Sequence, residues 1–210
     1  MYNMKSLTII ALSGIFFLCS CSQNFEGVIT YETTYTSNVD GVSADEMFGQ
    51  KNSKDTTYFK EGFYLHKANT DRMPYLLWRG VDTLHYFKKT LENDTIWTDK
   101  TNSHPAFIDS TSFEKDVEDI AGYSCDKLIV YRNNRVYEYF FNPDFKIDPE
   151  YYKEYTNSAR YDVIKLMKSP TLRLKVSSQN GVMDMVATNV DIKSLPDSLF
   201  KVPNGHIMKD

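Results

Sequence analysis

The side chains able to do chemistry are few and scattered. Three cysteines stand at Cys19, Cys21 and Cys125, and four histidines at His66, His85, His104 and His206. A metal centre needs ligands at short recurrent spacing, and no histidine here falls in HExxH, HxH or Cys-x-x-Cys spacing. Cys125 lies inside the apolar segment 123–131, where a single cysteine behaves as a small buried hydrophobe rather than half of a Cys-His pair. Neither G-x-S-x-G nor a phosphate-binding P-loop occurs. Glu114, Asp116, Glu118 and Asp119 could approach a calcium ion, yet the alternating oxygen ligands and the glycine of a calcium loop are missing, which favours a solvated edge. No catalytic residue, metal or cofactor is therefore expected, and a hydrolase ranks third among the functional readings.

The thiol with the most informative surroundings is Cys21. Lys5 precedes an apolar run over residues 7–18, about twelve residues long. That is well short of the roughly twenty that a membrane-spanning helix requires, so the run reads as a signal peptide. It closes on Leu18-Cys19-Ser20-Cys21, which resembles the lipobox of bacterial lipoproteins. The resemblance implies that residues 1–20 are cleaved off, and that Cys21 is the first mature residue and the lipid attachment point, carrying acyl chains such as palmitate. Residues 21–24 then form a tether. Cys19 offers a rival register, but Phe16, Phe17 and Leu18 are too bulky for a small-residue cleavage pocket. An ordinary secretory signal with chance cysteines is the alternative. No acidic cluster follows Cys21, a feature that in some lipoprotein families directs export to the cell surface. The expected location is the cell envelope, lipid-anchored at the outer membrane and facing the periplasm.

Lys5 is the only charge in the first twenty residues, so its removal takes the formal charge from −4 to −5. That mild acidity, without a basic patch, excludes nucleic acid as a partner. A monomer and one domain over residues 25–205, followed by a tail at 206–210, are expected. Once Cys21 is acylated, Cys125 is the only thiol left, and stability must come from packing. The chain has 15 Tyr and 13 Phe but only 9 Gly and 7 Pro, a balance that suits strands.

Residues 25–36 alternate, with Ile29, Tyr31, Thr33 and Tyr35 on one side. A polar loop over 37–55 holds at most a helical turn at 44–48. Residues 56–67 form a hairpin about Lys60-Glu61-Gly62, and short aromatic or β-branched runs follow at 75–78, 83–87 and 95–98. Strands at such spacing, separated by turn chemistry, indicate an antiparallel sheet or barrel. Residues 112–119 read as a solvated connection. A strong hairpin runs from 120 to 141 through Asn133-Asn134. Short helices are expected at 149–155 and 161–167, and Asn180-Gly181 predicts a tight type I′ turn between strands at 171–177 and 182–190. An apolar clamp, 195–203, precedes the tail. Asp followed by Ser or Thr recurs at Asp55, Asp82, Asp94, Asp109 and Asp197. It resembles the O-glycosylation sequon of some diderm bacteria, although an Asp turn leading into a strand explains it more simply.

Three segments carry a wider resemblance: Phe25-Glu26-Gly27-Val28-Ile29-Thr30-Tyr31, Gly122-Tyr123-Ser124-Cys125-Asp126-Lys127 and Leu199-Phe200-Lys201-Val202-Pro203. They resemble exported proteins related to the GLPGLI family, which in turn look like the LolA/LolB lipoprotein-carrier superfamily. The GLPGLI sequence itself is replaced by Ile164-Lys165-Leu166-Met167-Lys168-Ser169-Pro170. The resemblance implies a mainly β (α+β) fold: an incomplete antiparallel β-barrel, a half-pipe of about 8–11 strands with one or two short helices inserted late. In the carriers an apolar concavity holds acyl chains. Here Tyr31, Tyr35, Tyr75, Leu77, Tyr137, Tyr139, Leu172, Leu174, Met183 and Met185 are the candidates to line it, with core packing the competing assignment for each. The leading expectation is a lipoprotein that binds or carries lipid or lipoprotein acyl chains. The alternative is a non-catalytic structural or protein-interaction module of the envelope.

Overall fold

The computed structural model describes residues 24–49, 52–71, 73–91, 94–101, 106–205 and 207–209. The signal segment, Cys19, Cys21, His104 and His206 lie outside the described residues.

Period-two alternation sets the central strand, β1 (Gly27–Ser37): Ile29, Tyr31 and Thr33 are buried, while Glu32 and Thr34 are exposed. From it the chain runs outward through β2 (Ser53–Lys60), β3 (Phe63–Ala68), β4 (Tyr75–Arg79), β5 (Leu84–Lys88) and β6 (Ile96–Lys100). It then crosses to the far edge at β7 (Ser110–Ile120) and returns through β8 (Tyr123–Arg132), β9 (Arg135–Phe141), β10 (Arg173–Ser177) and β11 (Gly181–Ile192). β11 pairs with the free side of β1. The short β12 (Ile207–Lys209) lies parallel to β6, giving one twelve-stranded sheet in the order β12-β6-β5-β4-β3-β2-β1-β11-β10-β9-β8-β7. The sheet is open, not closed into a barrel, and with two short α-helices, α1 (Ala44–Phe48) and α2 (Arg160–Met167), it has the expected incomplete-barrel character.

The β9–β10 connection, residues 142–172, shows how the sheet curls. Asp148 caps a 3₁₀ turn, Pro149–Tyr152, by accepting from the Glu150 N–H, and proline occupies the first turn, where its missing N–H costs nothing. Tyr152 stacks on Trp78 of β4 at 4.6 Å, and Tyr155 meets His85 of β5 edge-on at 4.5 Å. Val163 and Met167 of α2 pack with Leu128, Val130 and Tyr139 on β8 and β9. One short segment can touch strands so distant in the sheet order only if the sheet wraps round it. Residues 142–172 are thus a plug in the trough, and the face they touch is the inner face. The outer face of β3–β6 is covered by a C-terminal strap, in which Leu195, Leu199, Phe200 and Val202 pack over Leu65, Leu77, Tyr86 and Ile96.

Several sequence expectations are corrected. Residues 112–119 are strand, not connection: β7 is an edge strand, exposed along nearly all of its length, so it carries no buried alternation. The loop after β1 ends early, because Ser53 and Asp55 are buried in β2. The β10–β11 turn is not type I′, since neither Asn180 nor Gly181 has positive φ. Gly181 is needed for space instead, because a Cβ there would sit 2.3 Å from the Thr36 carbonyl oxygen and 2.8 Å from the Phe48 ring. Residues 207–209 of the expected tail form β12, with the Thr98 hydroxyl donating to the Met208 carbonyl at 3.3 Å.

Candidate binding site

Cross-strand partners share a face, so the register sorts the ten candidate residues. Tyr35, Met183, Val176 and Tyr137 form one rung across β1, β11, β10 and β9; Thr33, Met185, Leu174 and Tyr139 form the next. Tyr139 and Leu174 pack with α2, which puts both rungs on the inner face, together with Tyr31. Leu172 is fully buried at the end of the plug, donating its N–H to the Phe140 carbonyl at 2.7 Å. Tyr75 and Leu77 belong elsewhere. Leu77 pairs with Leu65, and both lie under the strap on the outer face. The error has a simple cause: Leu77 and Trp78 are adjacent and both fully buried, because the sheet is covered on two sides here.

Sequence reasoning missed the centre of the trough. Arg160, at the start of α2, faces Tyr64, Tyr139, Tyr152 and Tyr155, with its guanidinium carbon 5.7 Å from the centre of the Tyr64 ring. Among the described residues it forms no ion pair and no side-chain hydrogen bond. Burial pushes the phenols of Tyr31, Tyr64, Tyr139, Tyr152 and Tyr155 above their ordinary range, so at neutral pH all are uncharged hydroxyls. Burial also lowers His66, and takes His85 down to about 4, leaving both imidazoles neutral. Asp55, buried on β2, accepts from the hydroxyls of Thr33 at 2.6 Å and Ser53 at 3.1 Å; its second oxygen has no partner. Tyr31 donates to the Thr171 carbonyl at 2.7 Å, while the Thr171 hydroxyl has no partner. No local sequence pattern announces this cage, since its members come from β3, β9, the plug and α2.

Three voids are linked by shared lining residues. The largest, about 420 Å³, is a recess at the sheet's end between Phe25, Phe145 and Ile192, rimmed by Glu26, Lys146 and Lys193. Its volume falls in the range of small-molecule sites. A second void, about 10 Å³, shares Asn24 and Phe25 with the recess. A third of the same size shares Phe59, Ile147 and Tyr152 with the second, and reaches Arg160 and Thr171. Each small void has room for about one water. An aromatic seam follows the same line: Phe145 to Phe25 at 4.9 Å, Phe25 to Phe59 at 6.0 Å, and Phe59 to Tyr64 at 5.5 Å.

Chemically the trough offers apolar surface, hydroxyls and two guanidinium groups, Arg160 and Arg132, the second donating to the Ser158 carbonyl of the plug and lying over the Tyr137 ring. Cys125 is buried, its thiol pushed up to about 11 by burial, which leaves little thiolate at neutral pH. Among the described residues no group of three His, Cys, Asp or Glu side chains could hold a metal, and no helix is long and apolar enough to cross a membrane.

Fold and site together define an open, curled antiparallel sheet with a plugged aromatic trough and a recess beside the N-terminal approach. No protein-family model and no curated protein matches the chain, so kinship with the GLPGLI family is not shown. Among solved structures, the structure of PNGF-II in a P21 space group is similar over 89% of this chain, at 16% identity and a TM-score of 0.47. The match spans only 31% of that chain. LprF from Mycobacterium bovis is similar over 85% of this chain and 89% of its own, at 8% identity and a TM-score of 0.32. With scores this low, neither likeness bears on function.

Proposed function

We propose that this chain is a lipid-anchored envelope protein that binds an apolar-chained ligand, a lipid or a lipoprotein acyl chain, along the trough. The supporting observation is the aromatic seam, which joins a recess of about 420 Å³ beside Asn24 to the centre of the inner face. Two residues, Ser22 and Gln23, lie between Cys21 and Asn24, so the three Cα steps reach at most about 11 Å even when extended. A lipid on Cys21 would therefore hold the recess at the bilayer surface, where acyl chains are found. Burying each methylene along such a seam contributes about 0.8 kcal/mol. The two inner voids are too small for a chain, so binding moves the Ile147 and Tyr152 side chains aside. The plug that carries them is short and irregular, with one turn of 3₁₀ helix and two turns of α-helix.

Titrating the full-length chain, in non-ionic detergent, with dansyl-undecanoic acid tests this. Saturable fluorescence enhancement is expected, and Ile192→Trp, which fills the recess, should weaken binding about tenfold while leaving the melting temperature unchanged. A probe that partitions only into detergent, with no saturable component, removes the ligand-binding reading. The anchor has its own test: Cys21→Ser should lose acyl mass and leave the membrane fraction.

The second reading, a protein-interaction module, is favoured by the near-filled interior and by β7, an eleven-residue edge strand. Crosslinking in membranes separates the two, yielding lipid adducts for a binding protein and one discrete protein partner for a module.

A further inference from the structure

We propose that the cage around Arg160 is a carboxylate site. The ligand is a long-chain monocarboxylate, its head held by the Arg160 guanidinium and the hydroxyls of Tyr64, Tyr155 and Thr171, its chain trailing along the aromatic seam to the recess. This rests on the ligand-binding reading above and narrows it from any acyl chain to one ending in a free acid.

Four observations converge. Arg160 is half-buried and lines the innermost void, yet it forms no ion pair among the described residues. A partly exposed guanidinium with no counter-charge keeps its N–H fork free for an anion that arrives from outside. The rings around it cannot supply that charge, because all are neutral phenols at physiological pH and offer hydroxyls and ring dipoles only. Asp55 spends one oxygen on the Thr33 and Ser53 hydroxyls and forms no ion pair with Arg160. His66 and His85 face the same region as uncharged rings.

The second observation is the Thr171 hydroxyl, on the wall of the same void, 7% exposed and without a partner. A buried donor left unsatisfied calls for an acceptor that arrives from outside. Third, the shape selects the anion. A planar guanidinium fork matches a carboxylate through two parallel N–H bonds. The void of about 10 Å³ must open for any ligand, and a planar three-atom carboxylate needs less displacement of its walls than a bulkier phosphodiester. Fourth, the cage and the recess lie at opposite ends of the seam, and the recess has apolar walls at Phe25, Phe145 and Ile192. A monocarboxylate entering head first places every polar atom at Arg160 and every methylene against aromatic carbon.

The test compares [1-¹³C]dodecanoate with dodecanol, binding the full-length chain in non-ionic detergent. Dodecanoate should bind about tenfold or more tightly than the alcohol. Its bound ¹³C carboxyl should titrate at lower pH than the same acid in empty micelles, because Arg160 favours the ionised form. Arg160→Gln should erase the preference and leave dodecanol binding intact, while Arg160→Lys, which keeps the charge but loses the fork, should retain part of it. Should Arg160→Gln fail to fold, Thr171→Val decides. It removes a hydroxyl that has no partner now, so it should leave the melting temperature unchanged while weakening dodecanoate several-fold and dodecanol not at all. Equal affinity for acid and alcohol overturns the carboxylate site and leaves the ligand reading standing. Binding of neither overturns both.

Discussion

On the outer face, β3–β6 lie under an apolar strap, whereas β7–β11 carry a ladder of ion pairs. Leu77 and Ile96 are fully buried beneath the strap, which Lys60 fastens by donating to the Leu195 carbonyl at 2.6 Å and pairing with Asp197 at 2.7 Å. Across the sheet, Arg173 on β10 grips both Asp184 oxygens, at 2.9 and 2.7 Å, and also Glu118 of the edge strand at 2.8 Å. Lys127 pairs with Glu114 at 2.9 Å, and Lys175 approaches Glu138 at 3.8 Å. Both solutions cover a sheet, but by different physics. The strap removes apolar area from water, at about 1.5–3 kcal/mol for each large side chain buried. The ladder stays partly solvated, where a single pair contributes about 0–1 kcal/mol and chiefly fixes the register of edge strand β7. The first half of the sheet is consequently a three-layer structure and the second a two-layer one.

Breaking that contrast should give effects in a fixed order. Leu77→Ala should cost about 2–5 kcal/mol in urea unfolding, since it leaves a cavity under the strap. If it costs no more than a surface substitution, the strap does not seal this face. Next comes pH. His85 is buried with its pKa lowered to about 4, against about 6.5 when unfolded, so between those values the unfolded chain binds more protons and stability falls with falling pH. The contribution is fully present above about pH 6.5, and roughly 3 kcal/mol of it is lost by pH 4. Urea unfolding of wild type and His85→Gln at pH 7 and pH 4.5 should show a smaller acid loss in the variant. Arg173→Gln should follow, at about 1–2 kcal/mol, because it strands Asp184 and Glu118 as well as losing the fork. Lys175→Ala should be the smallest, within about 0.5 kcal/mol, its pair being long and half-exposed.

The same contrast explains what was legible in the sequence. β10 reads Arg-Leu-Lys-Val-Ser, with Arg173 and Lys175 turned to the ladder and Leu174 and Val176 turned inward, and alternation sorted those faces correctly. β4 reads Tyr-Leu-Leu-Trp-Arg, and with both faces covered its alternation vanishes; Leu77 was accordingly placed on the wrong side. The hairpin through Asn133 and Asn134 was legible because both adopt the positive φ that such turns demand, 52° and 57°. β7 was illegible, because an exposed edge strand broken by a bulge near Asp116 looks like any charged loop. The Arg160 cage had no sequence signature, since its spacing exists only once β3, β9 and the plug are brought together by the curl. Of the Asp-Ser/Thr pairs, Asp82 is turn chemistry, accepting from the Leu84 N–H at 3.3 Å at the start of β5, whereas Asp55 lies inside β2 and accepts from Thr33 and Ser53.

The central claim is that the trough holds an apolar chain. Native mass spectrometry of the full-length protein extracted from its own membranes tests it most directly. One amphiphile per chain is predicted on the wild type, lost in Ile192→Trp. A bare mass for both proteins, with the wild type otherwise folded, would contradict the account.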